Sequence, residues 1–220
     1  MVTKEKVAGI IDASIAAVLA PTQAENKSFL ESIKPFPFAA VAVEPFYVRE
    51  TAKILSETKI AVACVISYPL SVLTSDTKLS QAAFALHDGA NELDIAMSFA
   101  DFKAGRFDKV KEDLKPIVYL TGDRIKKMIY YSALLSTDEQ KKAVELAIEL
   151  GFDFVKTNPG YGYVTKPEHI MTVKTTFKDA IKVMASGGVR TSTDAMAMIE
   201  AGTDRIATSA ALNILSGFEE

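Results

Sequence analysis

Short apolar runs rich in Val, Ile, Ala and Phe recur along the chain, and stretches with helical spacing separate them. The runs cover residues 9–14 (GIIDAS), 38–43 (FAAVAV), 60–67 (IAVACVIS), 92–97 (ELDIAM), 126–131 (KKMIYY), 152–157 (FDFVKT), 181–186 (IKVMAS) and 204–209 (DRIATS). Among the intervening segments, SDTKLSQAAFALHDG reads as a helix with Ser75 as N-cap and Gly89 as its stop. STDEQKKAVELAIELG carries Ser136 and Glu139 at capping-box spacing, and TSTDAMAMIEAG ends at Gly202. Eight such units, with no linker or low-complexity tract, describe one domain over residues 1–220. Alternating β and α elements imply parallel strands with right-handed crossovers. An open doubly wound sheet shares that alternation. Eight units and strands covered on both faces point instead to a single-domain (β/α)8 TIM barrel, of the α/β class.

Composition agrees and narrows the function. The 220 residues are 49% hydrophobic and 24% charged, enough apolar side chain for a large core. A net charge of −3 provides no basic field for a phosphate backbone, so no nucleic-acid partner is expected. The apolar stretch near the N-terminus is broken by Asp12 and falls short of the ~20 residues a membrane span requires. No long uncharged segment follows the first lysines, as a signal peptide would demand. The single cysteine, Cys64, lies inside an apolar run and reads as a core thiol, in keeping with a reducing cytoplasm.

A barrel of this kind works at the C-terminal ends of its strands, which directs attention to the polar residues there. In FDFVKT, alternation puts Phe152, Phe154 and Lys156 on one face, as an inward amine above apolar packing would be. Burial favours the neutral amine, which can attack an aldehyde or ketone to form a Schiff base. The alternative is a lysine that snorkels from the strand end into solvent. Asp94 lies between Leu93 and Ile95, so its carboxylate needs either a structural partner or a role in proton transfer. Gly187-Gly188 and Thr208-Ser209 follow the last two strands, where backbone N–H groups can receive a phosphate. His87 and His169 belong to no metal-spaced pattern, so no metal is expected.

Together these segments resemble the deoxyribose-phosphate aldolase family, class I aldolases on a (β/α)8 barrel, nearly end to end. GFDFVKTNPGYG is similar to the family's G-A-D-F-[IV]-K-T-S-T-G-[FK], and ANELDIAMSF to its A-D-E-[VI]-D-[VM]-V. VMASGGVRTSTDA and RIATSAA resemble V-K-[AP]-[SA]-G-G-[IV]-R-T and R-[IL]-G-T-S-[SA]. The resemblance implies Lys156 as the Schiff-base lysine, Asp94 as the proton-handling aspartate and Asp12 as a further catalytic acid. It assigns substrate and phosphate binding to Thr157, Gly160, Ser186, Gly187, Gly188, Thr208 and Ser209. Small aldehydes and a sugar phosphate are the implied partners, and no metal or organic cofactor is implied. A homodimer or higher homo-oligomer is a candidate assembly that the sequence does not fix.

The departures from the family pattern cluster at the pocket. Met184 stands where the family has a second lysine, and Lys182 is a candidate to replace that cation in part. The D-H-T-L-L-K-P opening becomes DASIAAVLAP, which keeps Asp12. The E-T pair becomes Tyr131-Ser132, S-T becomes Asn158-Pro159, and N-F-P-x-G becomes Ser67-Tyr68-Pro69-Leu70-Ser71. The sequence therefore supports three functions. One is a family-type aldolase cleaving 2-deoxy-D-ribose 5-phosphate reversibly to D-glyceraldehyde 3-phosphate and acetaldehyde, with reduced or altered activity. Another is a divergent or engineered Schiff-base lyase using Tyr130 or Tyr131 as proton donor on a different substrate. The third is a non-catalytic sugar-phosphate binder.

Overall fold

A computed structural model describes residues 2–16 and 21–219; part of the DASIAAVLAP stretch, residues 17–20, lies outside the described residues. The strands are β1 (Ile11–Ser14), β2 (Ala40–Val43), β3 (Ala61–Ile66), β4 (Glu92–Ala96), β5 (Ile125–Ile129), β6 (Phe154–Lys156), β7 (Lys182–Ser186) and β8 (Arg205–Thr208). They close into a parallel barrel in chain order, with β1 paired to both β2 and β8. The helices are α1 (Lys4–Ala8), α2 (Gln23–Ile33), α3 (Val48–Ile54), α4 (Ser75–His87), α5 (Phe99–Lys103), α6 (Phe107–Thr121), α7 (Thr137–Leu150), α8 (Pro167–Phe177), α9 (Ser192–Glu200) and α10 (Ala211–Ser216). No helix among the described residues is long and apolar enough to cross a membrane.

Local chemistry sets the helix boundaries. Ser136 and Glu139 form both arms of the expected capping box on α7, and Gly151 ends that helix in the left-handed conformation. Thr191 and Asp194 cap α9 in the same way. At α4 the expectation shifts by one residue: Thr74 is the N-cap and Ser75 the first helical residue.

Strand alternation divides the core in two. Outward residues such as Val41, Cys64, Leu93, Ile95, Met128 and Val183 pack with the helices into one large cluster. Inward residues form small separate groups: Ala40, Ala42 and Ala63; Ala96, Ile129 and Tyr131; and Phe154, Met184 and Ala207. Strand β6 is shorter than its apolar run, and Phe152 joins the helix-facing cluster instead of the interior face expected for it. Beneath Lys156 the apolar floor is therefore Phe154 with Met184 and Ala207.

Candidate active site

Register places the charged residues. Lys156 closes β6, opposite Ile129 on β5 and Met184 on β7, and only 3% of its surface is exposed. Its ammonium does not snorkel outward. Nζ donates to Asp94 Oδ2 at 2.6 Å. Asp94 pairs in register with Lys127 of β5, whose Nζ lies 2.9 Å from Oδ1. Lys127 is fully buried and also contacts Asp12 at 2.7 Å and Glu92 at 2.6 Å. Arg205 completes the series below, 2.8 Å from Glu92 and 3.3 Å from Asp12. Three carboxylates and three cations thus interleave below the site, with Asp94 between Lys156 and Lys127, and Asp12 and Glu92 between Lys127 and Arg205. Burial alone would raise the Asp94 pKa, but Lys127 and Lys156 more than offset it and hold the carboxyl down at about 2. Burial likewise opposes the charge on Lys127, yet Asp12, Asp94 and Glu92 raise its pKa on balance. Asp94 is accordingly an ionised base beside the amine.

Lys127 and Glu92 escape the sequence reading. Lys126-Lys127 looks like a solvated pair opening a strand, but Lys126 is partly buried and pairs with Asp153 at 3.3 Å. The alternation that singles out Lys156 also puts Ile125, Lys127 and Ile129 on a common face, and that was the available signal. Lys182 does not take the place of the missing cation. It is exposed at the lower rim of the barrel, with its ammonium 5.4 Å from the Phe154 ring, which lies below Lys156.

Above Lys156 opens a cavity of about 340 Å³. Its walls are the loops after β6, β7 and β8, together with Ser14 and Tyr68. Gly160, Ser186, Gly187, Gly188, Thr208 and Ser209 all line it, as does Arg190. Thr157 and Asp12 do not. Asp12 lies in the charge series beneath, and the Thr157 hydroxyl donates to Ser186 O at 3.0 Å and accepts from the Ser186 amide at 2.9 Å. Gly187 (φ +98°) must be glycine: a Cβ there would stand 2.3 Å from the Tyr163 carbonyl oxygen. The close approach of the two loops leaves their backbones facing the cavity.

Among the described residues no group of His, Cys, Asp or Glu has the geometry of a metal site. Tyr130 is buried in the helix-facing core, which removes it as a proton donor. Tyr131 faces the interior, but its hydroxyl donates to the Pro69 carbonyl at 2.8 Å and burial pushes its pKa up.

An inward lysine buried at the end of the sixth barrel strand, paired with an ionised aspartate under a glycine-lined cavity, agrees with the family comparison. The model of the DeoC/LacD family aldolases matches residues 13–217. The chain belongs to this family. Among curated relatives, the deoxyribose-phosphate aldolase of Aquifex aeolicus is 38% identical, over 90% of both chains. That of Carboxydothermus hydrogenoformans is 35% identical over 99% of this chain and 97% of its own. A solved structure described as QR15, an aldolase, superposes with a TM-score of 0.90 at 37% identity, covering 96% of this chain and 95% of that one.

As a DeoC/LacD aldolase, the chain has an altered wall. Met184 is fully buried against Phe154 and Ala207, so the interior beside Lys156 is apolar where the family motif has an ammonium. Asn158 points into the protein, not toward the cavity. Its Nδ2 donates to Ser132 Oγ at 3.0 Å and Thr165 Oγ1 at 2.9 Å, while Oδ1 accepts from the Ala133 amide at 3.1 Å. Ser132 is in turn 3.0 Å from His169 Nδ1. Asn158 therefore ties the loop after β6 to the loop after β5, and Pro159 takes the place in the wall.

Proposed function

We propose that this protein is a class I aldolase that reversibly cleaves 2-deoxy-D-ribose 5-phosphate to D-glyceraldehyde 3-phosphate and acetaldehyde. The observation that carries the reading is the buried Lys156 amine at the cavity floor, 2.6 Å from the ionised Asp94 carboxylate. In the cleavage direction, the amine adds to the C1 aldehyde and water leaves, forming an iminium. Asp94 receives the proton of the C3 hydroxyl through a water molecule. The C2–C3 bond breaks and its electron pair enters the iminium, releasing glyceraldehyde 3-phosphate and leaving an enamine on Lys156. Protonation at C2 and hydrolysis return acetaldehyde and the free amine. The phosphate lies at the opposite end, against the backbone of Gly187 and Gly188, with Ser209 and Arg190 in the same wall.

Borohydride reduction in the presence of acetaldehyde tests the reading. Peptide mass spectrometry should find an ethyl adduct on Lys156 in the parent and none in Lys156→Ala. A parent without the adduct refutes the Schiff-base mechanism.

A further inference from the structure

Three tyrosine hydroxyls stitch the catalytic mouth together. Tyr131, after β5, donates to the carbonyl of Pro69 in the β3–α4 loop. Tyr68, in that loop, donates to the carbonyl of Pro159 in the β6–α8 loop. Tyr161, in the latter loop, donates to the carbonyl of Ala16 after β1 at 3.0 Å. None of these strand pairs is adjacent in the barrel, so the bonds run across the mouth and not around its rim. The rings of Tyr68 and Tyr161 meet edge to face, with centroids 5.7 Å apart and planes at 64°. Both rings line the cavity beside Lys156 and Pro159.

The backbone is bent to achieve this. Tyr161 has φ 51° and Tyr131 φ 58°, while Ser67 and Ser71, which flank Tyr68, have φ 54° and 52°. Left-handed backbone is uncommon for residues with bulky side chains, and the hydroxyls of Tyr131 and Tyr161 each anchor such a residue. The hydroxyls also depart from the family motifs, whose corresponding positions are Phe at 68, Phe or Lys at 161, and Glu at 131. A phenylalanine at 68 or 161 would keep the ring and lose the bridge.

We propose that Tyr68 and Tyr161 are specificity-determining residues, whose hydroxyl bridges fix an aromatic bar across the mouth that admits slender acyclic acceptor aldehydes and rejects aromatic ones. This rests on the aldolase reading and names the substrate class of the same site. The acceptor must lie between the Lys156 amine and the Gly187-Gly188 turn, and the bar walls that passage. A ring tethered at its far end cannot swing aside without breaking its hydrogen bond, whereas an untethered ring can.

The test compares Tyr68→Phe, Tyr161→Phe and Tyr161→Ala with the parent. Two readouts are needed: kcat/KM for addition of acetaldehyde to glyceraldehyde 3-phosphate and to benzaldehyde, and the borohydride-trapped Lys156 adduct with acetaldehyde alone. All variants should retain the adduct. Each Phe variant should shift the benzaldehyde-to-glyceraldehyde 3-phosphate ratio toward benzaldehyde by about tenfold, the scale on which pocket shape discriminates substrates, and the Ala variant by more. An unchanged ratio in the Phe variants, whatever the Ala variant does, overturns the proposal with the aldolase reading intact. Loss of the adduct in the Phe variants overturns it as well, because the tyrosines would then serve the chemistry and not selection. A parent without the adduct refutes both.

Discussion

Lys156 shows how one residue acquires chemistry from its neighbours. A lysine closing an apolar strand has two outlets, solvent or interior, and the partner 2.6 Å away on β4 decides for the interior. Met184 lies across the β6–β7 pairing from it. Restoring a cation there with Met184→Lys should raise cleavage of 2-deoxyribose 5-phosphate about tenfold or more, in the range usual for a positioned acid–base group. Steady-state assays check this, and unchanged cleavage would mean that the second ammonium contributes nothing in this barrel. Glu44, just after β2, is half-buried, and burial pushes its carboxyl up to about 7. An acid raised on folding binds its proton more tightly in the native state. The fold therefore loses stability as pH climbs from the unfolded value of about 4.3 toward 7, and the loss is complete above that. Glu44→Gln should raise Tm at pH 8 by about 2 °C, a size kept small by solvent screening, and leave it near the parent value at pH 4. Equal differences at both pH values would contradict the assignment.

At the scale of elements, short strands fix the charged groups and long loops shape what reaches them. The loops after β6 and β7 touch so closely that Gly187 has room for no side chain. Gly187→Ala should cost roughly 1–3 kcal/mol through backbone strain. It should also raise KM for the phosphorylated substrate more than it lowers kcat, since the amine below is untouched. A fall in kcat alone would place this loop in the chemistry and not in binding. The elements themselves were legible: all eight strands and the three helices singled out were read from periodicity and capping residues. The start of β6 was not, because Phe152 carries the apolar alternation back to before the strand pairing begins. Asn158 was legible as a departure but not as a loop clamp, since its partners Ser132 and Ala133 come from the loop after β5.

For the whole molecule, the unusual feature is a barrel interior that is charged and balanced. Asp12, Glu92 and Asp94 against Lys127, Lys156 and Arg205 sum to zero, so the burial cost of each ion is offset by its neighbours. Lys127 is the hub, contacting all three carboxylates. Lys127→Met would leave them short of a cation and should destabilise the protein by about 3–5 kcal/mol, the usual penalty for breaking a buried ion network. Urea unfolding measures it, and a loss below about 1 kcal/mol would show that the carboxylates find other compensation.

The sequence by itself determined the eightfold βα order, from which the barrel was read, and the strand face that carries Lys156. Both follow from hydrophobic periodicity, which is a local property, whereas the turn of the Lys156 amine to the interior depends on Asp94 from another strand. The Lys127 hub, the failure of Lys182 to stand in for the missing cation, and the tyrosine bridges over the mouth were decided only by tertiary structure. Lys127 and Asp12 are 115 residues apart in the chain and meet only because barrel closure brings β1 and β5 to face each other across a narrow interior. Alternation says which face a side chain takes; closure and register say whom it meets there.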